Sequence, residues 1–234
     1  MEFFLNLLRS VAYGIIEGVT EWLPISSTGH MILAEQVLKF SFSAEFMEMF
    51  RVVIQLGAIL AVVVLYFKKL WPFCADNGRD SGFSRHFRWP VVRLWCKIIV
   101  ACVPAAVLGL LLDDWLDAHL YNSITVALML IIYGIAFILI ERRPRVPTTT
   151  KLSRITYKQA LIVGAWQVLA LIPGTSRSGS TIIGGLLCGM SRPAASQFTF
   201  FLAIPVMAGA SGLKLVKFLA KGGVFTLAEI SALL

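Results

Sequence analysis

The chain of 234 residues is 58% hydrophobic and 15% charged, with a mean hydropathy of +0.80. A soluble domain carries about 25% charged residues, so this composition excludes a water-soluble globule. The net charge of +8 would suit nucleic acid, but the basic residues gather in two loops between apolar runs, and neither loop holds a recognisable nucleic-acid module.

The first apolar stretch, residues 3–16, is interrupted by Arg9 and runs into Glu17. It has no small-residue cleavage site and reads as a retained segment. "EGVTEWLPISSTGH" (17–30) follows. Glu17 and Glu21 stand one helical turn apart, so both carboxylates share a face. Pro24 then leads into Ser26, Ser27, Thr28 and His30. The apolar arm at 32–38 is too short to cross a bilayer, which takes about 20 helical residues. Residues 52–67, widened by 47–50, form the first spanning run, 98–112 the second, 123–140 the third and 198–213 the fourth.

Between the first two runs lie Lys68, Lys69, Arg79, Arg85, Arg88, Arg93 and Lys97. After the third come Arg142, Arg143, Arg145, Lys151, Arg154 and Lys158. The connector between the second and third carries Asp113, Asp114 and Asp117 and no Lys or Arg. That asymmetry places the basic loops in the cytoplasm and the acidic one outside. Lys214, Lys217 and Lys221, beyond the fourth run, would emerge outside, against the trend. Cys74, Cys96, Cys102 and Cys188 show neither redox nor zinc spacing and read as packing residues.

A second polar cluster, "WQVLALIPGTSRSGS" (166–180), repeats the logic of the first: apolar helix, proline, then Ser, Thr and Gly. Setting Pro24 against Pro173, an offset of 149, lays Ser27 on Ser176, Thr28 on Arg177 and Glu48 on Gln197. Three spanning runs separate the clusters, and an odd number of crossings inserts the second copy upside down. The expected fold is therefore an all-α polytopic membrane protein built as an inverted repeat, with two re-entrant helix-loop-helix segments. Residues 1–234 form one transmembrane domain, with repeat one at about 1–112 and repeat two at about 123–234, the second lacking its final helices.

Ionisable groups inside a bilayer each cost about 2.5–3.5 kcal/mol on insertion scales, and they normally face a cavity or a partner. In the second cluster, Gly174 and the backbone N–H groups of a helix start can approach an anion closely. Thr175, Ser176, Ser178, Ser180 and Thr181 add hydroxyls, and Arg177 offers a fork that matches phosphate oxygens. This reads as a phosphate site without a Walker A pattern, so no nucleotide is indicated. Arg177 is open to a second role, as an ion-pair partner of Glu17 or Glu21. In the first cluster Ser27 is a candidate nucleophile, and His30 a candidate general base or nucleophile. Ser26 and Thr28 are further phosphate contacts.

"EGVTEWLPISSTGH", "VVIQLGAILAVVV" and "PGTSRSGSTIIGGLLCGMSRPAASQFTFFLAIP" closely resemble the bacterial undecaprenyl-pyrophosphate phosphatase family, associated with bacitracin resistance. The resemblance implies a plasma-membrane hydrolase that acts on C55 isoprenyl pyrophosphate and recycles the lipid carrier of peptidoglycan synthesis, with its site open to the outer face. It implies that Glu17 and Glu21 are an acidic motif pair, Ser27 and His30 belong to the first loop, and Ser176, Arg177 and Thr181 to the second. Glu17 and Glu21 are also the candidate ligands of a divalent cation, Mg²⁺ or Ca²⁺. The partners are then the lipid pyrophosphate and membrane lipids, with no nucleic acid and with a homodimer left open. The chain departs from the family at Arg51, usually acidic or an amide, and at Gln197, often Glu. A lipid-phosphate transporter or flippase is the rival reading, since inverted repeats recur among transporters.

Overall fold

The computed structural model describes residues 2–75, 86–142 and 146–233. The basic-loop residues Arg79, Arg85, Arg143 and Arg145 lie outside them, as do the side chains of Asp113 and Asp117. The order is α1 (Glu2–Thr20), α2 (Ser27–Leu38), α3 (Ala44–Val53), α4 (Gln55–Leu65), α5 (Phe67–Leu70), α6 (Trp89–Leu120) and α7 (Ser123–Glu141). Then come α8 (Tyr157–Gln167), a 3₁₀ turn (Val168–Leu171), α9 (Arg177–Leu187), α10 (Arg192–Ala220) and α11 (Leu227–Leu233). Among the described residues, four segments are long and apolar enough to cross a membrane: Ala44–Leu65, Trp89–Leu112, Ser123–Glu141 and Arg192–Ala220. These match the four runs read from the sequence. The protein is an all-α, multi-span membrane protein.

Helix α1 is inside out relative to a soluble helix. On α1 the buried residues are Asn6, Ser10, Tyr13, Glu17 and Thr20, a stripe at helical spacing. Phe4, Val11, Ile15 and Val19 of the same helix are exposed, as expected where lipid is the solvent. The polar side chains must then find partners within the bundle, because hydrocarbon offers none.

α10 is the central element, packed against α3, α4, α6 and α9. One apolar cluster joins Ile98 and Ala101 of α6, Ala160 and Val163 of α8, and Phe198, Phe201 and Leu202 of α10. A second joins Tyr13, Met31, Phe46 and Phe50, with Phe218 and Ala232. Close approach of α8 to α6 depends on Gly164, where an added Cβ would lie 2.3 Å from the Ala101 carbonyl oxygen.

Helix starts follow capping chemistry. Ser43, Asn122 and Ser191 each accept a backbone N–H of the first turn, and Thr156 with Gln159 closes a capping box. Two of the three lysines that run against the loop-charge trend are seen in ion pairs: Lys214 Nζ lies 2.8 Å from Glu48 Oε1, and Lys217 Nζ lies 2.9 Å from Asp114 Oδ1. The hydrogen bond and charge of Lys217 hold the Asp114 carboxyl below the usual carboxylate range. Arg51 is likewise matched, with Nη1 2.7 Å from Glu35 Oε2 while the Tyr13 hydroxyl donates to Oε1. An arginine at this position is therefore neutralised locally by α2. Gln197 is half-buried on α10. No disulfide links the four cysteines.

Candidate active site

The two polar loops, far apart in sequence, meet at the starts of α2 and α9. Each start is held by the same device. Ser26 Oγ accepts the Gly29 N–H at 3.2 Å, and Ser176 Oγ accepts the Gly179 N–H at 3.0 Å. Matching the helices cap to cap therefore puts Ser27 opposite Arg177, one residue away from the proline-to-proline register, which set Thr28 there. The prolines fail as a guide because the two loops differ in length between proline and cap. Ser26 holds a left-handed backbone at φ 65, whereas Ser176 is relaxed at φ −66. Left-handed backbone on a serine costs on the order of 1–3 kcal/mol, and such strain collects at functional loops.

Across this junction runs a continuous set of contacts. Arg177 Nη2 lies 2.6 Å from Glu21 Oε1, and Ser27 Oγ donates to Glu21 Oε2 at 2.6 Å. Arg177 Nη1 donates to the Thr199 carbonyl at 3.3 Å, and Ser178 Oγ donates to the Leu23 carbonyl at 3.3 Å. Glu21 thus fixes an arginine from one loop and a serine from the other. Behind it, Thr181 Oγ1 donates to the Arg177 carbonyl at 2.9 Å and pairs with Thr199 Oγ1 at 2.9 Å. Ser180 Oγ donates to the Tyr133 hydroxyl of α7 at 2.9 Å.

A cavity of about 460 Å³ opens on this junction. Glu21, Ser26, Ser27, Thr28, Thr175, Ser176, Arg177 and Ser178 line its polar end. Ile99, Ala105, Leu110, Pro205, Met207 and Leu213 line the rest. A polar end continuous with an apolar channel suits an amphiphile with an anionic head.

The other residues expected from the sequence do not line it. His30 Nδ1 faces the Ser26 carbonyl at 2.8 Å, and the Ser27 hydroxyl turns to Glu21 rather than to the imidazole. Glu17 is buried one turn before Glu21, with neither carboxylate oxygen hydrogen-bonded. Thr181 buttresses Arg177. Gly174 serves packing: at φ +88 its missing Cβ would sit 2.6 Å from Val126 Cα of α7. Gly174→Ala is therefore expected to lower the melting temperature markedly, through both left-handed strain and a backbone clash. Thermal unfolding of the detergent-solubilised variant checks this.

Sequence reading passed over Gln167 and Gln55. Both line the cavity, and Gln55 Nε2 donates to Thr28 Oγ1 at 3.3 Å. Each sits in a helix within a quoted stretch, where a polar residue between apolar neighbours was the available signal.

Four spans, an inward-facing polar stripe on α1 and a buried Arg–Glu–Ser junction lining a largely apolar cavity describe a multi-span membrane protein. Residues 10–234 match the model of the family described as bacitracin resistance protein BacA, and the chain belongs to that family. It is 59% identical over 233 residues to an undecaprenyl-diphosphatase of Enterococcus faecalis, covering 99% of this chain and 82% of that one. An undecaprenyl-diphosphatase of Streptococcus gordonii is 54% identical over 235 residues, covering 99% and 81%. That of Streptococcus mutans is 53% identical over 234 residues, covering 99% and 81%.

Proposed function

We propose that the chain hydrolyses undecaprenyl pyrophosphate to undecaprenyl phosphate and inorganic phosphate. It is an undecaprenyl-diphosphate phosphatase of the plasma membrane, recycles the lipid carrier for peptidoglycan synthesis, and confers bacitracin resistance. The observation that carries this is the 59% identity with an undecaprenyl-diphosphatase across 99% of the chain. The geometry agrees with it, since the apolar channel suits an isoprenyl tail and the Arg177 end suits its diphosphate.

In this reading Ser27 attacks the terminal phosphorus and gives its proton to Glu21, the carboxylate it already faces. The bond from that phosphorus to the bridging oxygen breaks, and the lipid monophosphate leaves. Water then releases inorganic phosphate from the serine. Arg177, with the hydroxyls of Thr28, Thr175, Ser176 and Ser178, holds the phosphate oxygens and spreads the charge of the transition state. His30 positions the first loop through the Ser26 carbonyl. The sequence alone left attack by His30 equally open; the cavity lining favours Ser27.

The residues present fit a divalent cation poorly. Glu17 is buried outside the cavity lining, and Glu21 has one oxygen engaged by Arg177 and the other by Ser27. Among the described residues no group of three or more His, Cys, Asp or Glu side chains gathers as a cation cage. No step of the proposed reaction is therefore routed through Mg²⁺ or Ca²⁺.

The inverted repeat belongs to the same proposal. Matching serine caps, two short helices at α2 and α9, and three intervening spans support two re-entrant units in one domain. The loop charges support a site open to the outer face. Purified protein in detergent, with no second compartment, is expected to release inorganic phosphate from the isoprenyl diphosphate. Absence of release from folded protein that still binds the lipid would favour a transporter.

A further inference from the structure

We propose that Gln167 is a substrate-contacting residue of this site, its carboxamide hydrogen-bonding the phosphate oxygens of the bound lipid diphosphate. The proposal rests on the phosphatase reading above and adds a residue at the start of the second stretch, ahead of its Ser/Thr/Gly cluster. Gln167 ends α8, is 2% exposed and forms part of the cavity wall. Neither its Nε2 nor its Oε1 has a hydrogen-bond partner within the protein. A buried amide left in this state weakens the free protein, and folding alone gives no reason to keep it.

Two other buried groups on the same wall are in the same condition, Thr175 Oγ1 and Arg177 Nε. An amide N–H, a hydroxyl and a guanidinium N–H share one property, which is that each can donate. Ionised phosphate presents acceptors only, so it answers all three at once. The Gln167 carbonyl oxygen is left to accept from a protonated phosphate oxygen or from the hydrolytic water. Counted from the caps Ser26 and Ser176, Gln167 also occupies the place that Glu17 holds before the first loop. Both loops are thus preceded by a buried polar side chain at the same distance from the cap. A carboxamide that instead held a trapped water would serve the fold, and its removal would cost stability.

The test compares wild type, Gln167→Leu and Gln167→Glu, each purified as the full chain in detergent. Leucine keeps the volume and removes the hydrogen bonds; glutamate adds a charge that repels phosphate. Three quantities are measured: kcat/KM for phosphate release, Kd for a non-hydrolysable isoprenyl methylenebisphosphonate, and the ligand-free melting temperature. For Gln167→Leu, kcat/KM and affinity should each fall by about 10- to 100-fold, the range for a hydrogen bond to a charged group. The melting temperature should stay level or rise, because an unsatisfied polar group has been removed. Gln167→Glu should lose more of both. Unchanged affinity in Gln167→Leu, or a melting temperature that falls along with activity, would overturn the assignment. Wild type that binds the bisphosphonate through Gln167 but releases no phosphate would sink the phosphatase reading and leave this one standing. Wild type that fails to bind the bisphosphonate would remove the proposal.

Discussion

Alanine at position 27 is expected to lower phosphate release by about 10³-fold or more, the scale on which loss of a nucleophile is felt. The variant should still extract and melt as a folded protein. The Ser27 hydroxyl lies at the polar end of the cavity and spends its proton on Glu21 Oε2 at 2.6 Å. Removing it leaves Arg177 and the α9 hydroxyls in place, so substrate binding should survive while chemistry stops. His30→Ala is expected to cost much less, about tenfold, on the scale of one lost neutral hydrogen bond. Its ring nitrogen braces the carbonyl of Ser26, the residue in left-handed backbone, and so acts on the loop rather than on the phosphorus. Steady-state phosphate release with both variants, alongside binding of a non-hydrolysable analogue, checks the pair. Equal losses in two folded variants would bring His30 back as nucleophile or base. Near-normal turnover in Ser27→Ala would remove the serine mechanism.

That contrast marks where sequence reading stops. Ser27 and His30 are three residues apart on one helix, and their spacing suggested a nucleophile with its base. Spacing along a helix fixes the face, but the side-chain torsion and the nearest partner decide where the hydroxyl points. Glu21 precedes α2 and reaches Ser27 only because the chain turns at 21–25. The four spans were legible because length and hydropathy are local properties. The polar loops were legible because ionisable residues are conspicuous in such surroundings. Contacts between distant elements were not. Glu35 with Arg51, Tyr133 with Ser180 and Thr181 with Thr199 each join residues of different helices. Gln167 carried too weak a signal, one amide among apolar neighbours, and only its burial without a partner makes it prominent. Gly174 looked like a phosphate-loop glycine, yet it is Val126 of α7 that demands it.

Arg177 separates two readings that the sequence left side by side, and the structure shows the ion-pair partner, Glu21, beside a backbone carbonyl. Its Nη2 is paired with Glu21 and its Nη1 with the Thr199 carbonyl, while Nε stays buried and unbonded. The side chains of Arg177 and Glu21 are 13% and 6% exposed, so neither charge is well hydrated. Arg177→Ala should therefore fail twice. Stranding the Glu21 carboxylate costs about 3–5 kcal/mol of stability, and losing the cation beside the phosphate costs roughly 10²–10³ in kcat. Arg177→Lys keeps the charge but not the fork. An ammonium can face Glu21, yet it cannot also reproduce the N–H aimed at the Thr199 carbonyl or the planar fork that matches phosphate oxygens. Turnover should fall by about two orders of magnitude, with a smaller drop in melting temperature than in Arg177→Ala. The decisive variant removes both charges. Glu21→Leu combined with Arg177→Met should recover most of the stability lost in Arg177→Ala, because a buried pair replaced by apolar residues of similar volume is often neutral or stabilising. It should recover none of the activity. A pair that served only to join the two loops would instead let Arg177→Lys turn over normally, and that result would leave the phosphate without its principal cation.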